Sequence, residues 1–226
     1  MITKLRIFIV TVLIGFCSTL VYYALVDKAQ SDLGSTPTPT PKIEAYDLEK
    51  APPSSLKGKI TQMIGDVGWQ SRVATEPASI TEPIPIQQGE KLVTGKDSKA
   101  IIQFQGDTTI QISAESGVNL TQTLPANIVV TQENGTVIYA QNESTIPLSV
   151  RARHLLIRLH EGSISVQLAE KTNEDDEITD SAITVNMLKG SATTAYNDLD
   201  YQTHTLNLVA GNTLLFDEIR RKSSIR

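Results

Sequence analysis

From residue 56 to the C-terminus, apolar side chains keep returning at every second position, and no stretch of 12 residues shows a clean period of 3.6. A strand turns successive side chains to opposite faces, so this alternation marks half-buried strands rather than amphipathic helices. In Ala100 to Phe104 followed by Thr108 to Ile112, Ile102 and Phe104 share one face, as do Ile110 and Ile112, and Gln105-Gly106-Asp107 supplies the reversal. That spacing predicts a hairpin. Asn134-Gly135 lies between Ile128 to Thr131 and Thr136 to Tyr139. This dipeptide readily takes the positive φ angles of a type I′ turn, so a second hairpin is predicted there. Further alternations run through 155–159, 164–168, 183–185 and 205–209. The roughly 170 residues concerned suffice for one domain burying about 70% of its chain surface. The predicted class is all-β.

Only Trp69, Phe104, Tyr139, Tyr196, Tyr201 and Phe216 are aromatic in this region, so its core should be aliphatic. Glycines at 106, 135, 162 and 190 recur at intervals of 29, 27 and 28, and Gly135 and Gly162 each open a Gly-x-apolar-x-apolar step. Such spacing suits a rolled or solenoid-like β domain that turns on glycine, with a β-sandwich as the alternative.

Ahead of this domain lie two segments of different composition. Ile7 to Val26 is a run of 20 residues without a charge, and a helix of that length spans roughly 30 Å, the hydrocarbon thickness of a bilayer. One transmembrane helix over 7–26 is expected, contacting the lipid bilayer. Lys4 and Arg6 precede it and Asp27 follows, which places a cytoplasmic tail at 1–6 and the rest of the chain outside the membrane. A cleaved signal peptide would have an apolar region of about 7–15 residues and a small-x-small site; this run is longer and has Tyr22, Tyr23 and Leu25 near its end. A lipoprotein reading needs a small residue before Cys17, where Phe16 stands.

Residues 27–55 contain Thr36-Pro37-Thr38-Pro39-Thr40-Pro41 and Pro52-Pro53. Alternating proline favours extended polyproline-II geometry, so this reads as a disordered Pro/Thr-rich linker rather than a signalling ligand. The segment 56–226 carries 15 Lys and Arg against 20 Asp and Glu, the same −5 as the whole chain. Nucleic-acid binding, which needs a cationic surplus, is not expected. A single Cys excludes a disulfide framework and multi-cysteine metal sites, and three His leave little for a histidine centre.

The run from Gly89 to Ile112, read as Gly89-Glu90, Thr94-Gly95, Ser98-Lys99-Ala100, an alternating strand, Gln105-Gly106-Asp107 and a second strand, resembles the FecR domain family. Ile60 to Trp69 is similar to that family's opening strand pair, His160 to Val166 to its glycine-led strand, and Lys189 to Tyr196 with Leu208 to Gly211 to its closing strands. The resemblance covers about residues 56–218. Two departures touch turns: Glu90 stands where Asp is usual, and Gln105-Gly106-Asp107 replaces Asp-Gly. The resemblance implies a rolled β domain outside the cytoplasmic membrane. It also implies, for the best-known members, relay of a receptor signal to an extracytoplasmic-function sigma factor through a cytoplasmic helical domain. Here only Met1 to Arg6 precede the apolar run, so the expected role is instead a noncatalytic binding or sensing module whose partner is an extracellular or periplasmic protein or polymer.

No catalytic, cofactor-binding or metal-binding residue is assigned. His154 and His160 are expected on the same side of one strand as Arg158; six residues of strand span about 20 Å, too far to share a metal. With His204 they read as surface side chains. Asn173-Glu174-Asp175-Asp176-Glu177 lacks the alternating oxygens and central glycine of a calcium loop and reads as a solvated loop. Trp69 is expected to face inward, and the basic tail Arg220-Arg221-Lys222 with Arg226 to be a frayed terminus. No serine stands in a nucleophile-elbow pattern, so an envelope hydrolase is the least favoured role. Asn119, Asn134 and Asn142 match the glycosylation triplet, which is frequent by chance in a Thr-rich chain.

Overall fold

The computed structural model describes residues 49–105, 107–142, 146–172 and 178–226. The predicted tail, the apolar run 7–26 with Cys17, most of the linker, Gly106 and the acidic stretch 173–177 lie outside the described residues.

The described residues contain strands and no helix. In chain order the strands are β1 (Gly58–Ile64), β2 (Val67–Gln70), β3 (Ala78–Ser79), β4 (Pro85–Ile86), β5 (Lys91–Thr94), β6 (Lys99–Gln103), β7 (Thr108–Ile112) and β8 (Gly117–Leu124). They continue as β9 (Asn127–Gln141), β10 (Leu148–Ala152), β11 (Leu155–Thr172), β12 (Ile178–Asn197), β13 (Thr203–Val209), β14 (Thr213–Asp217) and β15 (Lys222–Ile225). All 15 join one mixed sheet. Every pairing is antiparallel except β9 with β10. The fold is all-β, as the alternation predicts.

Three long strands organise it. The first part of β9 pairs with β8 and β10, and its second part with β7 and β11. β11 pairs first with β10 and then with β9, so β9, β10 and β11 close a circuit of pairings. That circuit rolls the sheet around a continuous apolar cluster, while β3, β4, β13 and β15 remain its open edges. The core is largely Ile, Val and Leu, with Phe104, Tyr139, Tyr196 and Phe216 as its aromatic members.

Inward parity switches along each long strand: 128 and 130 then 137 and 139 in β9, 157 and 159 then 164 and 166 in β11, 183 and 185 then 192 in β12. A one-residue slip in an unbroken strand would send half its apolar set to solvent. Gly135, Gly162 and Gly190, all at positive φ, stand where the parity changes. Bulged pairing flanks Gly162, between Leu159 and Glu161 and between Ser163 and Ile164. Positive φ is a bulge conformation glycine adopts without strain.

This corrects the expected hairpin at Asn134-Gly135. β9 continues through the pair without reversing, and of the two residues only Gly135 has positive φ, whereas a type I′ turn needs it at both. The predicted hairpin of β6 and β7 is present, with Ala100 opposite Ile112 and Ile102 opposite Ile110. The expected opening strand pair is not a pair. Gly65, at φ 75, separates β1, which joins β4 and β6, from β2, which joins β3 and β5.

The chain is fastened where it enters the roll. The Leu56 N–H donates to the Thr123 carbonyl, and the Thr123 hydroxyl donates to the Leu56 carbonyl over 2.8 Å. Just before it, Ser55 closes a turn on the Pro52 carbonyl through its N–H and its hydroxyl.

Candidate functional site

The three histidines do not converge. His154 lies in the turn between β10 and β11, not on the strand that carries Arg158 and His160. Arg153 there takes φ 51, which breaks the extended chain. The His154 Nδ1 bonds Glu218, and its Nε2 meets Arg221 Nη2 at 3.0 Å, so both ring nitrogens are engaged. His160 bonds Thr193 at 2.8 Å, and Thr193 donates to Asn207. Among the described residues no group of three or more His, Cys, Asp and Glu side chains is placed to hold a metal ion. The basic tail is ordered rather than frayed: Arg220 pairs with Asp217, Lys222 begins β15, and Arg226 exchanges backbone hydrogen bonds with Thr213. Trp69 is half-buried against the core.

A groove of about 380 Å³ lies where the incoming chain meets the roll, lined by Glu49 to Pro53, Lys57, Arg72 and Glu90 among others. Its charges are of both signs. Glu90 has a local task there, accepting the Gln87 N–H at 2.7 Å and closing the turn before β5. Glu90 thus closes a working turn, and the groove is bounded by it and by the chain entering the roll.

His204 closes the turn before β13. Its Nε2 bonds Asp198 at 2.7 Å, and its ring stacks on Tyr196 with centroids 5.1 Å apart. The His204 hydrogen bond, followed by the Gln202 N–H, holds the Asp198 carboxyl below the usual carboxylate range. A depressed carboxyl contributes stability above its unfolded pKa and loses it as pH falls through the folded value. In an NMR titration Asp198 is expected to titrate below ordinary aspartates, and to move back up toward them in His204→Ala.

The outer faces of the sheet are unlike each other. Across β6, β7, β9, β11, β12 and β14 the register sets Ile101, Gln111, Ile138, Ser165, Asn186 and Thr213 in one row. One neighbouring row holds Gln103, Thr109, Ala140 and Ser163. The row on the other side holds Thr136, Gln167, Thr184, Leu215 and Ser224. None of these side chains is ionisable. Charge begins at the margin, with Lys59 opposite Gln103, Lys189 opposite Ser163 and Asp217 opposite Ala182, and with Lys99 two residues before Ile101 on the same face of β6. The face over β8, β9, β10, β11, β12 and β13 instead carries Arg151 in one row and Arg158 in the next. Hydroxyl, amide and aliphatic groups in register offer hydrogen bonds and contact area without charge to desolvate, which suits noncovalent contact with a neutral polymer or protein surface. Sequence reading missed this face because its rows join residues more than 100 positions apart.

No family model matches the chain, and no curated protein matches it. Two crystal structures of a "putative anti-sigma factor" from Parabacteroides distasonis ATCC 8503, at 2.50 Å and 1.65 Å, are similar to it in part. The identities are 13% and 12% and the TM-scores 0.46 and 0.47, over 60% of this chain. The chain spans 58% of each of those proteins. A likeness of that degree carries nothing about activity.

Proposed function

We propose that this chain is a noncatalytic binding or sensing module of the cell envelope, anchored through residues 7–26 and displayed outside the cytoplasmic membrane. The uncharged face over β6 to β14 carries the reading, and it makes a neutral protein or polymer the partner. The order of apolar run, Pro/Thr-rich spacer and β domain supports the topology. A photo-cross-linking residue at Ser165, in the middle row, is expected to capture a partner in intact cells, whereas the same residue at Arg158 captures none. Contacts between neutral groups are insensitive to screening, so the Ser165 adduct should persist from about 0.15 to about 1 M salt, and Thr184→Lys should suppress it. Equal capture from both positions, or none from Ser165, would retire the reading. Protease added to intact cells should remove the chain beyond residue 27; a protected domain rejects the topology.

A second reading, a FecR-type regulator of a sigma factor, rests on the sequence resemblance over about 56–218. It requires that deleting residues 2–6, with insertion preserved, abolish a transcriptional response. An unchanged response rejects it.

A further inference from the structure

The outermost strands of the sheet are β3, β4, β13 and β15. β3 and β4 have two residues each, too few to template another strand. β15 has four, with Arg220 and Arg221 before it, Lys222 in it and Arg226 after it. β13 has seven residues and contains no carboxylate, lysine or arginine. Native sheets ordinarily blunt a long edge with charge, proline or a bulge, and β13 has no charge or proline.

The ladder's phase shows which groups of β13 face outward. The Asp198 N–H donates to the Gln202 carbonyl and the Ala210 N–H to the Gly190 carbonyl, both continuing the register that pairs Tyr196 with His204. Hydrogen-bonded pairs alternate in an antiparallel ladder, so His204, Leu206 and Leu208 bond β12. Thr203, Thr205, Asn207 and Val209 turn their N–H and C=O away. Val209 is closed off by Asn212, whose side chain accepts its N–H and whose N–H donates to its carbonyl. The outward backbone groups of Thr203, Thr205 and Asn207 bond to no described residue.

We propose that β13 pairs with β13 of a second copy of this chain, antiparallel about a two-fold axis at Thr205. In that register Thr205 faces Thr205 and Thr203 faces Asn207, so the outward groups of all three residues are paired and no like charges oppose. The same register carries Tyr201 toward Val209 of the other copy; these side chains are 84% and 56% exposed. The self-complementarity of the strand favours a second copy over a foreign segment. The pairing goes beyond the binding role proposed above and leaves the uncharged face open.

The test is sedimentation of the full chain in density-matched detergent over a concentration series. A reversible dimer is expected. Thr205→Lys sets two ammonium groups against each other and should weaken it at least about fivefold, while Thr205→Ser leaves it intact. A cooperative thermal transition in each of the three proteins, compared at dilutions where all are monomeric, shows that each is folded. In a Cys17→Ser background, mixed Thr203→Cys and Asn207→Cys chains should cross-link on oxidation, and Thr203→Cys alone should not. A chain that stays monomeric overturns the proposal. So does a dimer unaffected by Thr205→Lys, as association through the apolar run would be, or cross-linking in another register.

Discussion

Replacing Gly162 by alanine is expected to cost about 3 kcal/mol or more, or to prevent folding, as read by chemical denaturation. Gly162 and Gly190 face each other across β11 and β12 at φ 93 and φ 82. A Cβ on Gly162 would overlap the Lys189 carbonyl, and one on Gly190 would overlap that of Glu161. These are backbone atoms, held by the ladder, so no side chain can swing aside. Gly211 provides the control. It has φ 89, but nothing lies within 4 Å of a Cβ built there. Gly211→Ala therefore meets only the intrinsic cost of the left-handed conformation, about 1–2 kcal/mol. Equal losses at the two sites would show that the close approach at Gly162 does not matter.

Gln132→Ala is expected to cost about 3 kcal/mol, because it opens a cavity and strips partners from a buried network. Gln132 is fully buried in the first part of β9. Its amide donates to the Gly135 carbonyl at 2.9 Å and to the Val166 carbonyl at 3.0 Å, and its Oε1 accepts the Tyr139 hydroxyl at 3.2 Å. The side chain thus ties both parts of β9 and the facing β11 together where the strand bends. Tyr139→Phe should cost less, about 1–2 kcal/mol, since it removes one donor and keeps the ring.

That smaller substitution carries a pH signature. Burial pushes the Tyr139 phenol well above its ordinary value. The unfolded chain then loses this proton near pH 10 while the folded chain keeps it, so stability falls as pH rises past 10. The slope from this one group is about 1.4 kcal/mol per pH unit. Tyr139→Phe should make the alkaline limb shallower by that amount, and an unchanged limb would mean the phenol ionises in place.

Local signals were legible in the sequence and long-range ones were not. The hairpin of β6 and β7 could be read because its alternation and its turn lie within a dozen residues. Asn134-Gly135 misled for a related reason: the dipeptide states a preference for positive φ, and whether a reversal or a bulge uses it depends on neighbours that β9 meets on two other strands. Residues 155–159 and 164–168 look like separate strands, since their apolar positions have opposite parity. Only the Gly162–Gly190 pairing shows them to be one. The glycine spacing of 27 and 28 residues was a real signal, and its meaning is bends in long strands. Of the candidate face, the residue types were visible throughout, but rows joining Ile101 to Thr213 exist only once the register is set. The His154–Glu218 contact joins residues 64 apart and left no local trace.

The fastening of Leu56 to Thr123 has a mechanical meaning. A load on the chain ahead of Leu56 meets the Ser55 turn and then the two Leu56–Thr123 hydrogen bonds before it reaches any strand. The Leu56 bonds end on β8, whose Thr123 N–H is itself held by the Gln88 side chain at 3.1 Å. Tension is passed sideways into the 87–90 turn and β8 rather than along β1, so the first strand is shielded from being peeled off its neighbours. Pulled from residues ahead of Leu56, the domain is expected to lose this clasp before β1 leaves β4 and β6.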